Sequence, residues 1–111
     1  MRITVRTTSA WLTRIAKRRF EFALGRFSGR VHSVTVRVAD INGPRGGVDQ
    51  RCRVTVQLQS PKRAIVIEDL DADAAVAIDR VADRAARTVA RLVHTATNWR
   101  TNTAGRHEVG G

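Results

Sequence analysis

The sequence predicts an α+β domain built as a two-layer sandwich, in the order β-α-β-β-β-α, with a four-stranded mixed sheet and two helices on one face. Three observations predict it. Three segments alternate apolar and polar residues with a period of two, so each has one dry and one wet face, and a hairpin turn leads from the third into a fourth strand. Two longer segments repeat their apolar residues at helical spacing and need a surface to cover. The chain has 111 residues, near the commonest size for one domain with one core.

Arg2 to Arg6 (RITVR) alternates, with Ile3 and Val5 on one side, and reads as the first strand. Thr7, Thr8 and Ser9 follow as candidate caps. Leu12, Ile15, Ala16, Phe20, Ala23, Leu24 and Phe27 then recur at helical spacing until Ser28 and Gly29 stop the pattern. Val31 to Ala39 alternates again, Val34, Val36 and Val38 facing opposite to Ser33, Thr35 and Arg37. In the third strand Cys52, Val54, Val56 and Leu58 share one face, and Arg51, Arg53, Thr55, Gln57 and Gln59 the wet one. Ser60-Pro61-Lys62 reads as a hairpin turn into a fourth strand, Arg63 to Glu68.

The acidic run Glu68, Asp69, Asp71 and Asp73 precedes an alanine-rich helix expected over about 73–96, where carboxylates near the first turn favour the dipole. Its core stripe is Ile78, Val81, Ala82, Ala85, Val89, Leu92 and Val93, and Arg80, Arg84, Arg87 and Arg91 form a basic ridge on the opposite side. Residues 98–111 lack periodicity and end in Gly-Gly, so the domain is expected over 1–97 and a flexible tail over 98–111. A strand-helix-strand opening favours a right-handed crossover that makes the first two strands parallel, and hairpins make the others antiparallel.

Twenty Lys plus Arg oppose ten Asp plus Glu, a formal net charge of +10. Such an imbalance costs self-repulsion and points to a polyanionic partner, nucleic acid before others. Eighteen of the twenty basic residues are Arg, which suits phosphate forks, although a GC-rich genome produces the same bias. The single cysteine, Cys52, excludes an intramolecular disulfide, and there is no paired Cys/His spacing for zinc. A reducing cytoplasm fits; there is neither a signal-like N-terminus nor an 18-residue apolar run.

The stretch Asp40 to Cys52, DINGPRGGVDQRC, joins strands two and three. Asn42-Gly43 permits positive φ, Pro44 stiffens the turn, and Gly46-Gly47 lets backbone N–H groups converge beside Arg45. Residue chemistry alone leaves two readings open, a plain hairpin and a phosphate contact. A paired-glycine clamp like that of KH domains is set aside, because that loop joins two helices.

ALGRFSGRVHSVTVRVADINGPRGGVDQRC, followed by EDLDADAA and AIDRVADRAARTVAR, resembles the short form of the ribosome hibernation promoting factor family, the ribosome-associated translation inhibitors. The likeness runs from about Ile3 to Leu92. Asp40, Asn42, Gly43, Pro44, Arg45, Gly46, Gly47 and Asp49 match a pattern of that family, and Gln50 stands where relatives tend to carry Lys. The resemblance implies a non-enzymatic domain, without cofactor, that binds small-subunit ribosomal RNA in the channel for messenger and transfer RNA and blocks translation in resting cells. It implies a monomer off the ribosome. Longer relatives add a C-terminal dimerisation domain, so pairing of ribosomes through such a domain is not expected of the short form.

The candidate RNA contacts are Arg14, Lys17, Arg18, Arg45, Arg80, Arg84, Arg87 and Arg91, with Arg26, Arg30 and Arg51 as second choices. The first-helix group meets only Glu21, and the second ridge has no acid after Asp83, so the two helix faces are expected to join as one footprint for RNA backbone. Phe20, Phe22 and Phe27 are expected in the core, and Trp11 and Trp99 in core or capping contacts. The competing reading is a generic double-stranded RNA-binding domain of similar layering, although such domains put basic residues at the start of their second helix and here that start is acidic. An enzyme has less support. His32, His94, His107, Cys52 and the acidic run form no catalytic constellation, Cys52 shares the core face of its strand, and His94 falls near the expected helix end.

Overall fold

The computed structural model describes the backbone of residues 1–42, 48–59 and 61–109, and the side chains of 1–41, 49–59 and 61–95. Strands β1 (Arg2–Arg6), β2 (Val31–Asn42), β3 (Val48–Gln59) and β4 (Lys62–Asp71) form one sheet in that order. β1 and β2 are parallel, and the other pairs antiparallel. Helix α1 (Ala10–Leu24), a short 3₁₀ turn (Gly25–Phe27) and helix α2 (Ala74–Val109) complete the chain. The predicted sandwich, strand order and strand directions are those observed.

Local chemistry accounts for the helix starts. Ser9 caps α1 through its hydroxyl, which accepts from the Leu12 amide at 3.3 Å, and its carbonyl accepts from Thr13 N at 3.0 Å. Asp73 caps α2: its carboxylate accepts from Ala75 N at 2.9 Å. Both helices lie on one sheet face, α1 against β1 and α2 over β3 and β4, and they pack on each other.

Between them and the sheet lies the core. Phe20 and Leu24 of α1 and Ile78, Val81 and Val89 of α2 meet Val34, Val36, Val54 and Val56, all fully buried. The register keeps these valines on one face: Val34 opposes Val56, Val36 opposes Val54, and Val54 opposes Ile67. The pairing shifts between Val31 and Ser33, a bulge at His32. This irregularity lets Val31 and Val34, three residues apart, both point into the core, where strict alternation would turn Val31 to solvent.

Several boundaries differ from the sequence reading. The hairpin strands are longer: β2 reaches Asn42 and β3 begins at Val48, so only 43–47 separates them. Those residues, with Arg45 and its glycines, lie outside the described ones. β4 extends from Glu68 to Asp71, which places Glu68, Asp69 and Asp71 on a strand and leaves Asp73 alone as the acidic cap. Pairing with β3 from Gln50 to Gln59 outweighs the weak strand propensity of these acids.

α2 also continues through Val109, past the expected end at 96 and the domain boundary at 97. Thr and Asn are weak helix formers but do not break a helix, and no proline or glycine occurs before Gly105. A helix of this length spans about 54 Å, which explains a longest dimension of 60 Å against 28 and 17 Å across. His94 therefore lies within the helix, away from its negative pole.

Candidate nucleic-acid interface

The basic side chains fall into three groups with different surroundings. On α1, about 100° per residue puts Arg14 and Lys17 on the flank away from α2 and Arg18 on the crest. All three are exposed, and none has a carboxylate within ion-pair distance among the described residues. Arg19 lies on the other flank and crosses to α2, its Nε donating to Asp79 Oδ1 at 2.7 Å. Trp11 and Phe22 share the crest with Arg18, at 58% and 84% exposure. Together with Arg14, Ile15 and Arg19 they line an open groove along the helix.

This placement corrects two expectations. Phe20 is buried and Phe27 packs against the core, as predicted, whereas Phe22 is among the most exposed hydrophobic residues. At 200° from Phe20 it cannot reach the sheet. Trp11 is likewise outside the core, and Trp99 is beyond the described side chains.

The α2 ridge has charged neighbours, of which helical spacing shows only Asp83, four residues before Arg87, while Asp69 and Asp71 reach it from β4. Arg80 meets Asp71 at 3.0 Å, Arg84 meets Asp69 at 3.7 Å and donates to the Glu68 carbonyl at 3.4 Å, and Arg87 meets Asp83 at 2.9 Å. The expected shortage of acids beside this ridge is therefore corrected. Because β4 extends to Asp71, Asp69 and Asp71 stand on its helix-facing side directly beneath α2. Arg91, one turn beyond Arg87, is exposed without a carboxylate partner among the described residues. The ridge thus faces the β4 flank of the helix pair and the α1 group the other flank. The Arg19–Asp79 bridge occupies the seam where a continuous basic surface was expected.

The second-choice residues separate. Arg26 lies over the Phe27 ring at 4.8 Å, Arg30 ends the turn into β2 and accepts at its carbonyl from Gln59 N at 2.9 Å, and Arg51 pairs with Glu68 at 3.6 Å.

A third group was missed. On the sheet face opposite the helices, Arg6 stands beside Arg37 and Arg37 beside Arg53, in direct register across β1, β2 and β3. The strand alternation already put Arg37 and Arg53 on wet faces, and only the pairing register joins them into a row.

Among the described residues no catalytic constellation assembles, and the His107 side chain lies outside them. Cys52 is fully buried; desolvation first, and the charge of Asp69 second, push its thiol up to about 12, so it stays protonated at neutral pH. Among the described residues no group of three His, Cys, Asp or Glu could hold a metal ion, and no helix is long and apolar enough to cross a membrane.

No protein-family model and no curated protein matches the chain. Solved structures do. The N-terminal domain of Protein Y from Thermus thermophilus superposes with a TM-score of 0.59 at 20% identity, covering 82% of this chain and 94% of that one. A ribosomal subunit interface protein from Coxiella burnetii superposes with a TM-score of 0.57 at 13% identity, covering 91% and 99%. At these identities the likeness establishes the fold.

Proposed function

We propose that the chain is a ribosome-associated hibernation factor of the ribosome hibernation promoting factor family, a cytoplasmic, non-enzymatic protein that binds small-subunit ribosomal RNA in the messenger and transfer RNA channel and inhibits translation. The observation that carries the reading is the fold shared with a subunit interface protein over 91% of the chain and with the Protein Y domain over 82%, joined to a net charge of +10. Arg14, Lys17 and Arg18 are its principal contacts, because among the described residues no carboxylate lies within ion-pair distance of them. Phosphate contacts of this kind select RNA shape over sequence.

The α2 ridge serves as a secondary contact. Its three bridges join arginines 50 to 70% exposed to Asp71 and Asp69, about a quarter exposed, and Asp83, 59% exposed; pairs reached by solvent on the arginine side contribute about 1 kcal/mol or less each, so RNA phosphate can replace the carboxylates. Replacing Asp69 and Asp71 together by Asn is expected to raise affinity for small subunits several-fold. The same change should alter thermal stability little. Unchanged affinity in a salt titration would show that Arg80 and Arg84 do not touch RNA.

The reading is tested by co-sedimentation with purified small subunits in the presence of excess free duplex RNA. Binding should survive the duplex competitor and be lost when messenger and transfer RNA are bound first. Loss to duplex alone would favour a generic double-stranded RNA-binding domain. Binding alongside messenger and transfer RNA would contradict the channel site.

A further inference from the structure

The helix-free face of the sheet carries a row of like charges that the fold itself does not require. Arg6, Arg37 and Arg53 occupy adjacent positions on three neighbouring strands, in register. With strands about 4.8 Å apart, the row is about 10 Å long at the backbone. All three side chains are exposed, and none has an ion-pair partner among the described residues. Like charges placed directly opposite destabilise a sheet. Glu68 continues the row on β4, opposite Arg53, but it bridges Arg51 at 3.6 Å instead.

Two residues along, Thr35 opposes Thr55, and together with Arg37 and Arg53 these threonines line a shallow cleft. Two guanidinium forks beside two hydroxyl groups match phosphate oxygens: the forks supply paired N–H donors and charge, the hydroxyls further donors. The exposed aromatics Trp11 and Phe22 are on α1, so among the described residues this face has no aromatic anchor that a membrane surface would engage.

We propose that the row Arg6–Arg37–Arg53, with Thr35 and Thr55, is a second phosphate-binding surface for RNA backbone, so that RNA contacts the protein on both sides. This inference rests on the ribosomal reading and deepens it. The α1 group lies on the helix layer and the arginine row on the outer face of the sheet layer, so a single straight duplex cannot touch both. A cleft between two RNA elements can.

The test compares the wild type with a variant in which Arg6, Arg37 and Arg53 are all replaced by Gln, on purified small subunits and on a short free duplex. The variant should melt at the same temperature or higher, because cross-strand repulsion is relieved. Its affinity for subunits should fall about tenfold or more, and its salt slope should lessen by about 2, as loss of three phosphate contacts requires. Affinity for the free duplex should change less than for subunits. If the triple variant melts early, a variant with Arg37 and Arg53 replaced by Lys keeps the charge and should retain the salt slope. A well-folded triple variant that binds subunits like the wild type, with the same slope, overturns the proposal while leaving the ribosomal reading intact. Loss of binding to polyglutamate with RNA affinity unchanged would also overturn it, assigning the face to an acidic protein. A wild type that ignores subunits would instead defeat the ribosomal reading itself.

Discussion

Replacing Arg14, Lys17 and Arg18 together by Gln is expected to weaken binding to small ribosomal subunits by roughly 100- to 500-fold at about 0.1 M salt. The magnitude follows from counterion release. Each cation that neutralises one phosphate adds about 0.7 to 0.9 to the salt slope, and at about 0.1 M salt this is a factor of roughly 5 to 8 in affinity. Three such contacts multiply to the stated loss, and the slope should lessen by about 2 to 2.7. The effect exceeds that expected of the α2 ridge because Arg80, Arg84 and Arg87 must first exchange a carboxylate for a phosphate. Stability should not fall, since the three side chains are exposed and make no ion pair among the described residues. Equilibrium binding across a salt series checks this; an unaltered slope would remove the α1 flank from the interface.

Phe20→Ala carries the largest expected stability effect, a loss of about 3 to 5 kcal/mol. Phe20 is the largest fully buried side chain and the one aromatic residue at the centre of a core made otherwise of aliphatic side chains and Cys52. Its removal leaves a cavity between α1 and the valine face of the sheet. For a domain of this size the loss corresponds to a fall in Tm of roughly 15 °C or more. Phe22→Ala, two residues away on the same helix, is the paired control. At 84% exposure its truncation should change stability by about 0.5 kcal/mol or less. Thermal melts of the two variants separate the observed arrangement from the expectation that both rings are buried, in which case both would be strongly destabilised.

The parts of the fold that sequence alone revealed are those set by period and capping. Val34, Val36 and Val38 opposite Thr35 and Arg37 define a half-buried strand without reference to any partner, and Ser9 announces α1 in the same local way. The misjudged features depend on partners far along the chain. Asp69 and Asp71 look like helix-start acids until β4 pairs with β3 as far as Gln50, which carries them under Arg84 and Arg80. Phe22 is the exception: helical spacing alone puts it 200° from Phe20, opposite the core stripe, and its aromatic character outweighed its position in the expectation of burial. The continuation of α2 beyond residue 96 was hidden by threonine and asparagine, whose low propensity weakens a helix without ending one.

The candidate site divides along the same line. That Arg14, Lys17 and Arg18 share an exposed helix side follows from spacing within one element, and the structure places them so. The neutral seam of Arg19 and Asp79 follows from the packing of two helices 60 residues apart in the chain. The Arg6–Arg37–Arg53 row follows from strand register, a quantity that alternation within a single strand cannot supply.

The central proposal is that these cations, unpaired among the described residues, neutralise ribosomal RNA, and the salt dependence of binding to purified small subunits tests it most directly. A log-log plot of affinity against salt should be linear, with a slope of magnitude about 3 or greater, as four or more phosphate contacts demand. A flat plot, or an affinity no greater for subunits than for free duplex RNA at every salt concentration, would contradict it.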